Sequence, residues 1–244
     1  MCMTVGKLGE FGRETIFGAK APRAAPGQTR DFHAGEHLFF EGDTQTHIFL
    51  VVSGWVKLYR TLVDGQRQVV GFVNEGSVIG LESDIEHSNG CQAVTEAAVR
   101  SIPVARIAQI CATDQNLAQQ LLGQLGRQLG AAQSHLATVG AQSAEQKLAS
   151  FLISICDLAG ASQNGLFHLP MRRGEMAEFL GLRLETVSRQ MAEFQRCRWI
   201  EMSAMYHCRI LRRDVLNELA LGGEAEHAPK RMTCSIRTRR SLAA

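Results

Sequence analysis

A chain of 244 residues with 45% hydrophobic content can form one large or two modest domains, each with its own core, and its net charge of +2 singles out no partner class over the chain as a whole. Seven cysteines, an odd number spread without CxxC or CxxxC spacing, argue against a disulfide framework and against a zinc site, so reduced thiols and no metal are expected. No apolar run approaches the ~18 to 20 residues that span a bilayer, and the longest, around His47 to Val52, is strand-sized, so a soluble, cytoplasmic chain with no membrane partner is expected.

Residues 1–29 mix Gly, Ala, Pro and scattered charge without the apolar core of a secretory signal, and read as an N-terminal extension. Over 30–113 short apolar segments alternate with glycines: Leu38-Phe39-Phe40 before Gly42, Ile48 to Val52 before Gly54, Val56 to Tyr59 before Asp64-Gly65, and Val69 to Val73 before Gly76. This is the pattern of a β-rich barrel or roll. Asp64-Gly65 between two strand-like runs predicts a hairpin, and the regular turn spacing excludes alternating βαβ units.

Residues 114–141 predict one long helix, in which Ala118, Leu122, Leu125, Leu129, Ala132, Leu136 and Val139 alternate steps of four and three. That is a heptad seam, and its leucines Leu122, Leu125, Leu129 and Leu136 predict a homodimer helix. Gly123, Gly126 and Gly130 each cost roughly 1 kcal/mol of propensity relative to Ala, yet small residues let two helices approach closely. The alternative is a single helix packed on its own domain.

The region 142–221 opens at Ser143-Ala144-Glu145-Gln146, which has capping-box form, followed by Leu148, Phe151, Leu152 and Ile155 at helical spacing. Further on, Arg173 to Leu180 fits a short helix with Met176, Ala177 and Leu180 inward, Gly181 supplies a tight turn, and a second helix begins at Leu184. Glu185, Ser188 and Arg189 fall at i, i+3 and i+4 and share one face, while Val187, Met191 and Phe194 share roughly the opposite one. Trp199 to Met202, Ser203-Ala204 and Met205 to Leu211 then read as strand, turn and strand, and a short helix follows near Asp214 to Leu221. This order is a winged helix-turn-helix, whose partner is double-stranded DNA.

The outward face suits base edges: Arg bridges guanine O6 and N7, Glu accepts from cytosine N4, and Ser donates or accepts. Taken alone, the three residues also fit an ordinary surface helix with an i, i+4 Glu–Arg pair. Arg172, Arg173, Arg183, Arg189, Arg196, Arg198, Arg209, Arg212 and Arg213 crowd the same region against five Glu, a local excess of the kind phosphate binding requires. Residues 222–244 form a polar tail with Lys230, Arg231, Arg237, Arg239 and Arg240, expected to be disordered and either idle or weakly attracted to phosphate.

Residues 171–200 closely resemble the DNA-binding domain of the CRP/FNR regulators, and the glycine-spaced strands ahead of them resemble that family's β-roll, so the resemblance covers the chain from about residue 30 to 220. It implies an α+β fold: a cyclic-nucleotide-binding-like β-roll, a long dimerisation helix and a C-terminal winged helix-turn-helix. The E-x-x-S-R set, here Glu185, Ser188 and Arg189, resembles the FNR and FixK side of the family, whose members read TTGAT inverted repeats. Where the CRP branch carries Arg before that Glu, this chain has Leu184, so the TGTGA operator is disfavoured. Arg172, Arg173 and Thr186 lie where the family touches phosphates. The resemblance also implies an activator that recruits RNA polymerase in low-oxygen or nitrogen-oxide metabolism.

Cyclic-nucleotide binders of this fold hold the ribose with Gly-Glu and the phosphate with Arg followed by Ser or Thr. Here Gly80 is followed by Leu81, with Glu82 one place late, and Asn89-Gly90-Cys91-Gln92-Ala93 offers no Arg. An anionic ligand without a cationic partner is costly to bury, so cyclic AMP is not expected; instead Gly80-Leu81-Glu82, His87 and Val99-Arg100 resemble the FixK branch. The iron–sulfur members use clustered N-terminal cysteines, and this chain has only Cys2 near its start. No cofactor is expected, with haem on His33, His37, His47 or His87 left open as the basis of a ligand-dependent sensor. Cys197 lies between Arg196 and Arg198, cations that favour a thiolate and would make it a redox thiol; the other reading is an inert thiol under the wing. A metalloenzyme of cupin type, using His33, His37 and Glu41, is a more distant alternative: on a strand, residues four apart are about 13 Å apart, and Gly35 disfavours a helix. No nucleophile elbow or phosphate loop is present, and no enzyme is expected.

Overall fold

The computed structural model describes residues 27–81, 85–160, 165–204 and 206–223. Most of the N-terminal extension with Cys2, the residue Glu82 and nearly all of the basic tail lie outside the described residues.

Eight strands build the N-terminal domain: β1 (Gln28–Phe32), β2 (His37–Phe39), β3 (His47–Ser53), β4 (Val56–Thr61), β5 (Arg67–Val73), β6 (Val78–Ile79), β7 (Gly90–Ala93) and β8 (Ala97–Pro103). They form two four-stranded antiparallel sheets, β1-β8-β3-β6 and β2-β7-β4-β5. Strand β1 begins at Gln28, slightly ahead of the boundary read from the sequence, because the register from Gln28↔Ser101 to Phe32↔Ala97 pairs it along β8. The hairpin at Asp64-Gly65 forms as expected: Gly65 has φ 80°, a left-handed value that glycine adopts at little steric cost, and its N–H donates to the Leu62 carbonyl at 2.9 Å.

Alternation along the strands divides apolar side chains among three clusters. Between the sheets Phe32, Phe39, Val51, Val56, Ile79, Cys91, Ala93 and Val99 close the roll. A second cluster joins Ile48, Leu50, Val78 and Ile102 to Leu121 and to Ile107, and so seats the helices α1 (Val104–Thr113) and α2 (Gln115–Ala141) on the roll. The third extends from Trp55, Val69 and Phe72 into the C-terminal domain. The roll is therefore packed on two sides, against the long helix and against the domain that follows it.

That domain comprises α3 (Ala144–Leu158), β9 (Leu166–His168), α4 (Arg173–Leu180), α5 (Leu184–Arg196), β10 (Ile200–Ala204), β11 (His207–Ile210) and α6 (Arg213–Ala220). Helix α3 starts with the expected capping box: the Gln146 N–H donates to Ser143 Oγ at 3.3 Å and the Ser143 N–H to Gln146 Oε1 at 3.0 Å. Its buried face, with Leu148, Phe151, Leu152 and Ile155, meets Met176, Leu180, Val187, Met191, Phe194, Leu216 and Leu219 in one core. The wing is three-stranded, in the order β10-β11-β9. Ser203 and Ala204, read from the sequence as the turn, belong to β10 instead; the pairing runs from Ile200↔Ile210 to Ala204↔His207, with a register shift after Met202 that accommodates the extra length.

Candidate nucleic-acid interface

Helix α4 ends at Gly181, whose φ of 61° and ψ of 41° are left-handed, and its N–H closes back on the Ala177 carbonyl. The Leu182 N–H donates to the same carbonyl at 3.0 Å. This stop turns the chain within three residues into α5, which begins at Leu184. Val187, Met191 and Phe194 of α5 are fully buried, and Phe194 lies 5.3 Å from Trp199, so the inner face is locked by the core. Glu185, Ser188 and Arg189 are all exposed on the other side, with Thr186 half-buried at the margin. A rigid helix with a free polar face is suited to entering a groove beside phosphates.

Charge is distributed less evenly than the count of arginines suggests. Arg196 is bound to Glu193 by two guanidinium nitrogens, its Nε donating at 2.9 Å. Arg209 pairs with Glu201 at 3.5 Å, Arg212 with Asp214 at 2.7 Å and Arg213 with Asp157 at 2.6 Å. The Arg212 guanidinium holds the Asp214 carboxyl down at about 2. Arg173 bends back so that its Nη1 lies 3.5 Å from Met176 Sδ, and burial lowers its pKa. Among the described residues no carboxylate forms an ion pair with Arg172, Arg183, Arg189 or Arg198, and all four are exposed. They are spread along α4 and α5: Arg172 precedes α4, Arg183 precedes α5, Arg189 lies midway along the exposed face of α5, and Arg198 follows it. Of the phosphate candidates read from the sequence, Arg172 is thus the free cation and Arg173 is turned into the domain.

The structure corrects the electrostatics expected at Cys197. Its pKa is raised, first by burial and next by Glu193, whose Oε1 is 3.7 Å from Sγ; Arg196 acts in the opposite sense but is engaged by the same carboxylate. Burial and the Glu193 carboxylate therefore work against the thiolate that Arg196 favours.

On α2, Leu122, Leu125, Leu129 and Leu136 are 68%, 39%, 61% and 73% exposed, whereas the neighbouring Leu121 is buried on the roll. The histidines weighed as haem ligands lie in separate settings. His33 Nδ1 is 3.0 Å from Glu96, His37 Nδ1 is 3.1 Å from the Tyr59 hydroxyl, His47 Nδ1 is 2.8 Å from the Thr46 hydroxyl, and His87 stacks on Phe39 with ring centroids 3.9 Å apart. Glu41, grouped with His33 and His37 in the cupin alternative, instead accepts from the Thr61 N–H at 3.0 Å. Among the described residues no group of three or more His, Cys, Asp and Glu could hold a metal ion, and no helix is long and apolar enough to cross a membrane.

Strand β9 and the contact of Lys57 with Glu175 were not visible in the sequence. Only Gly165 before the strand and Pro170 after it bracket a segment that otherwise carries no strand signal of its own.

Comparison with known proteins agrees with this architecture at both ends. Residues 29–114 match the cyclic nucleotide-binding domain family, and residues 146–219 match the Crp-like helix-turn-helix domain family. The chain is 32% identical over 169 residues to the nitrogen fixation regulation protein FixK of Rhizobium meliloti (strain 1021), an alignment covering 69% of this chain and 76% of that protein. It is also 32% identical over 204 residues to the transcriptional activator protein FnrA of Stutzerimonas stutzeri, covering 82% of each. The solved structure of FixK2 from Bradyrhizobium japonicum superposes with a TM-score of 0.74 at 27% identity, covering 79% of this chain and 96% of that one. These relatives are transcription regulators and not enzymes, which sets aside the cupin alternative. With a cyclic-nucleotide-binding-like roll joined to a Crp-like helix-turn-helix and FixK and FnrA among its relatives, the chain belongs to the CRP/FNR family of DNA-binding transcription regulators.

Proposed function

We propose that this regulator binds a TTGAT-type inverted repeat as a homodimer and activates transcription by recruiting RNA polymerase in low-oxygen or nitrogen-oxide responsive expression. The observation that carries the reading is the division of α5, with Val187, Met191 and Phe194 buried and Glu185, Ser188 and Arg189 exposed. In the major groove Arg189 would bridge a guanine, Glu185 would accept from a cytosine and Ser188 would complete the set. Arg172 and Thr186 would hold phosphates at the margin, with a smaller part for Arg173. Leu184, 47% exposed beside Glu185, offers a thymine methyl an apolar contact rather than a cation to a guanine.

The exposed leucines of α2 supply the dimer seam, and a twofold dimer matches an inverted repeat. An activator role follows from the likeness to the transcriptional activator FnrA, and the link to low oxygen or nitrogen oxides follows the FNR/FixK-like branch. No cofactor is proposed. The interior of the roll supports this reading: His87 stacks on Phe39, Phe39 lies 5.2 Å from Phe49, and a Cβ built on Gly80 would come within 3.2 Å of the His87 ring, so the space between the sheets is filled by rings.

The test is binding of purified, reduced protein without added ligand to a TTGAT…ATCAA duplex and a TGTGA…TCACA duplex at one stated salt concentration. Preference for the first is expected. Preference for the second would overturn the operator, and binding to neither would send the search to haem reconstitution.

A further inference from the structure

Lys57 is a cation in the middle of a β-strand, with its side chain only 9% exposed, and its partner lies on a different domain. Its Nζ donates to Glu175 Oε1 at 2.7 Å, and the Glu175 side chain is itself 16% exposed. Glu175 uses both oxygens. While Oε1 takes the Lys57 ammonium, Oε2 accepts the Arg172 N–H at 2.8 Å, closing the N-terminus of α4. One carboxylate therefore joins a charge on the β-roll to the main chain of the residue whose guanidinium is the free cation ahead of the helix-turn-helix.

The surroundings leave this junction little room to slide. Lys57 is in register with Phe72 across β4 and β5, and the Phe72 ring meets Phe151 and Phe179 at 6.1 and 5.4 Å. Gln68 Nε2 donates to the Glu178 carbonyl of α4, and Asn74 Nδ2 to the Leu158 carbonyl at the end of α3 at 2.9 Å. From the other side His135 of α2 stacks on Phe179 with centroids 4.0 Å apart. Apolar contacts tolerate rotation of α4 over the sheet, whereas a short ion pair at its first turn selects one orientation. Removing one member of such a pair leaves the other charge buried without its partner.

We propose that Lys57 and Glu175 are positioning residues for DNA binding: the β-roll sets the pose of α4, and through it of Arg172 and the reading face of α5, by holding the carboxylate that caps α4. This rests on the reading that α4 and α5 dock on DNA with Arg172 at a phosphate.

The test measures the Kd of the full-length protein for the TTGAT…ATCAA duplex and for a scrambled duplex of equal length, together with the Tm, for wild type, Lys57→Met, Lys57→Arg, Glu175→Gln and the double variant Lys57→Met/Glu175→Gln. Gln at 175 retains an acceptor for the Arg172 N–H. Lys57→Met is expected to weaken the specific complex by about tenfold and to shrink its advantage over the scrambled duplex, while Lys57→Arg stays near wild type. The double variant leaves no charge unpaired, so its Tm should recover while its affinity stays weak; it also carries the test if Lys57→Met does not fold. Affinity that recovers along with the Tm would show a merely structural pair and overturn the proposal. Tighter binding by Lys57→Met would overturn it as well, because the contact would then restrain the domain rather than orient it. Arg189→Ala separates the two levels: if it weakens binding and Lys57→Met does not, the pair alone is wrong, and if neither matters, the docking pose on which the pair depends is wrong.

Discussion

Helices α2 and α5 are both amphipathic, and they leave opposite faces to solvent. In α5 the apolar face is consumed by the core, with Val187 and Phe194 fully buried, and what remains outside is mostly polar, with Glu185, Ser188 and Arg189 beside the half-exposed Leu184. In α2 it is the apolar face that remains, with Leu122, Leu129 and Leu136 more than half exposed. An exposed polar face is complete in water and takes a wet, charged partner without prior cost. An exposed leucine seam is incomplete until a dry surface covers it. On the proposed reading, the difference suits each helix to its own kind of partner, DNA for α5 and a second copy of the chain for α2.

The largest effect should come from the buried side of α5. Phe194→Ala removes a ring from the centre of the C-terminal core and should cost about 3–5 kcal/mol in urea unfolding; a loss below ~1 kcal/mol would mean that the inner face is not what locks the helix. Next, Leu129→Glu combined with Leu136→Glu puts charges into the seam of α2. Sedimentation should then show monomers, with affinity for the full repeat falling by about 100-fold on the scale of leucine burial. An unchanged dimer would break the contrast, since α2 would then be an ordinary surface helix. On the exposed face of α5, Arg189→Ala should cost about 1–3 kcal/mol of discrimination at one guanine and leave the dimer intact, as read by Kd on matched and substituted duplexes.

The smallest effect concerns His135, the polar member of α2 that packs on α4. Burial, then Lys147, lowers its pKa below 6.5, so the unfolded chain binds the proton more readily than the folded one. Stability should be level above pH 6.5 and fall as the pH drops from there toward the lowered folded value. Urea midpoints across that window should show a shallower acid loss in His135→Gln, and equal slopes would remove His135 as the cause.

Features carried by local spacing were legible in the sequence. The capping box at Ser143, the glycine stop at Gly181, the hairpin at Asp64-Gly65 and the opposed faces of α5 each depend on residues within a few positions of one another. What escaped depends on long separations or on very short elements. Lys57 and Glu175 are 118 positions apart, and Arg213 reaches back 56 positions to Asp157, so a count of arginines could not say which were already neutralised. Strand β9 has three residues, too few for alternation to show, and exists because it pairs with β11. Cys197 is a different case. Glu193 lies four residues back, one turn away on α5, and acts against Arg196; helical spacing already contained that neighbour.

The aromatic contact between the roll and the C-terminal domain also bears on whether the DNA-binding half is a portable module. Trp55, Val69 and Phe72 share a cluster with Phe151 and Met176, and Phe179 packs against it. A fragment cut at the junction before Ser143 would carry those partners uncovered, together with a carboxylate at Glu175 whose ammonium has been left behind. Such a piece should be less stable and more prone to self-association than the same residues in the intact chain. For this regulator, recombination with a foreign sensor would have to transplant the surface of β4 and β5 along with the helices, so the unit that can be exchanged is larger than the unit that touches DNA.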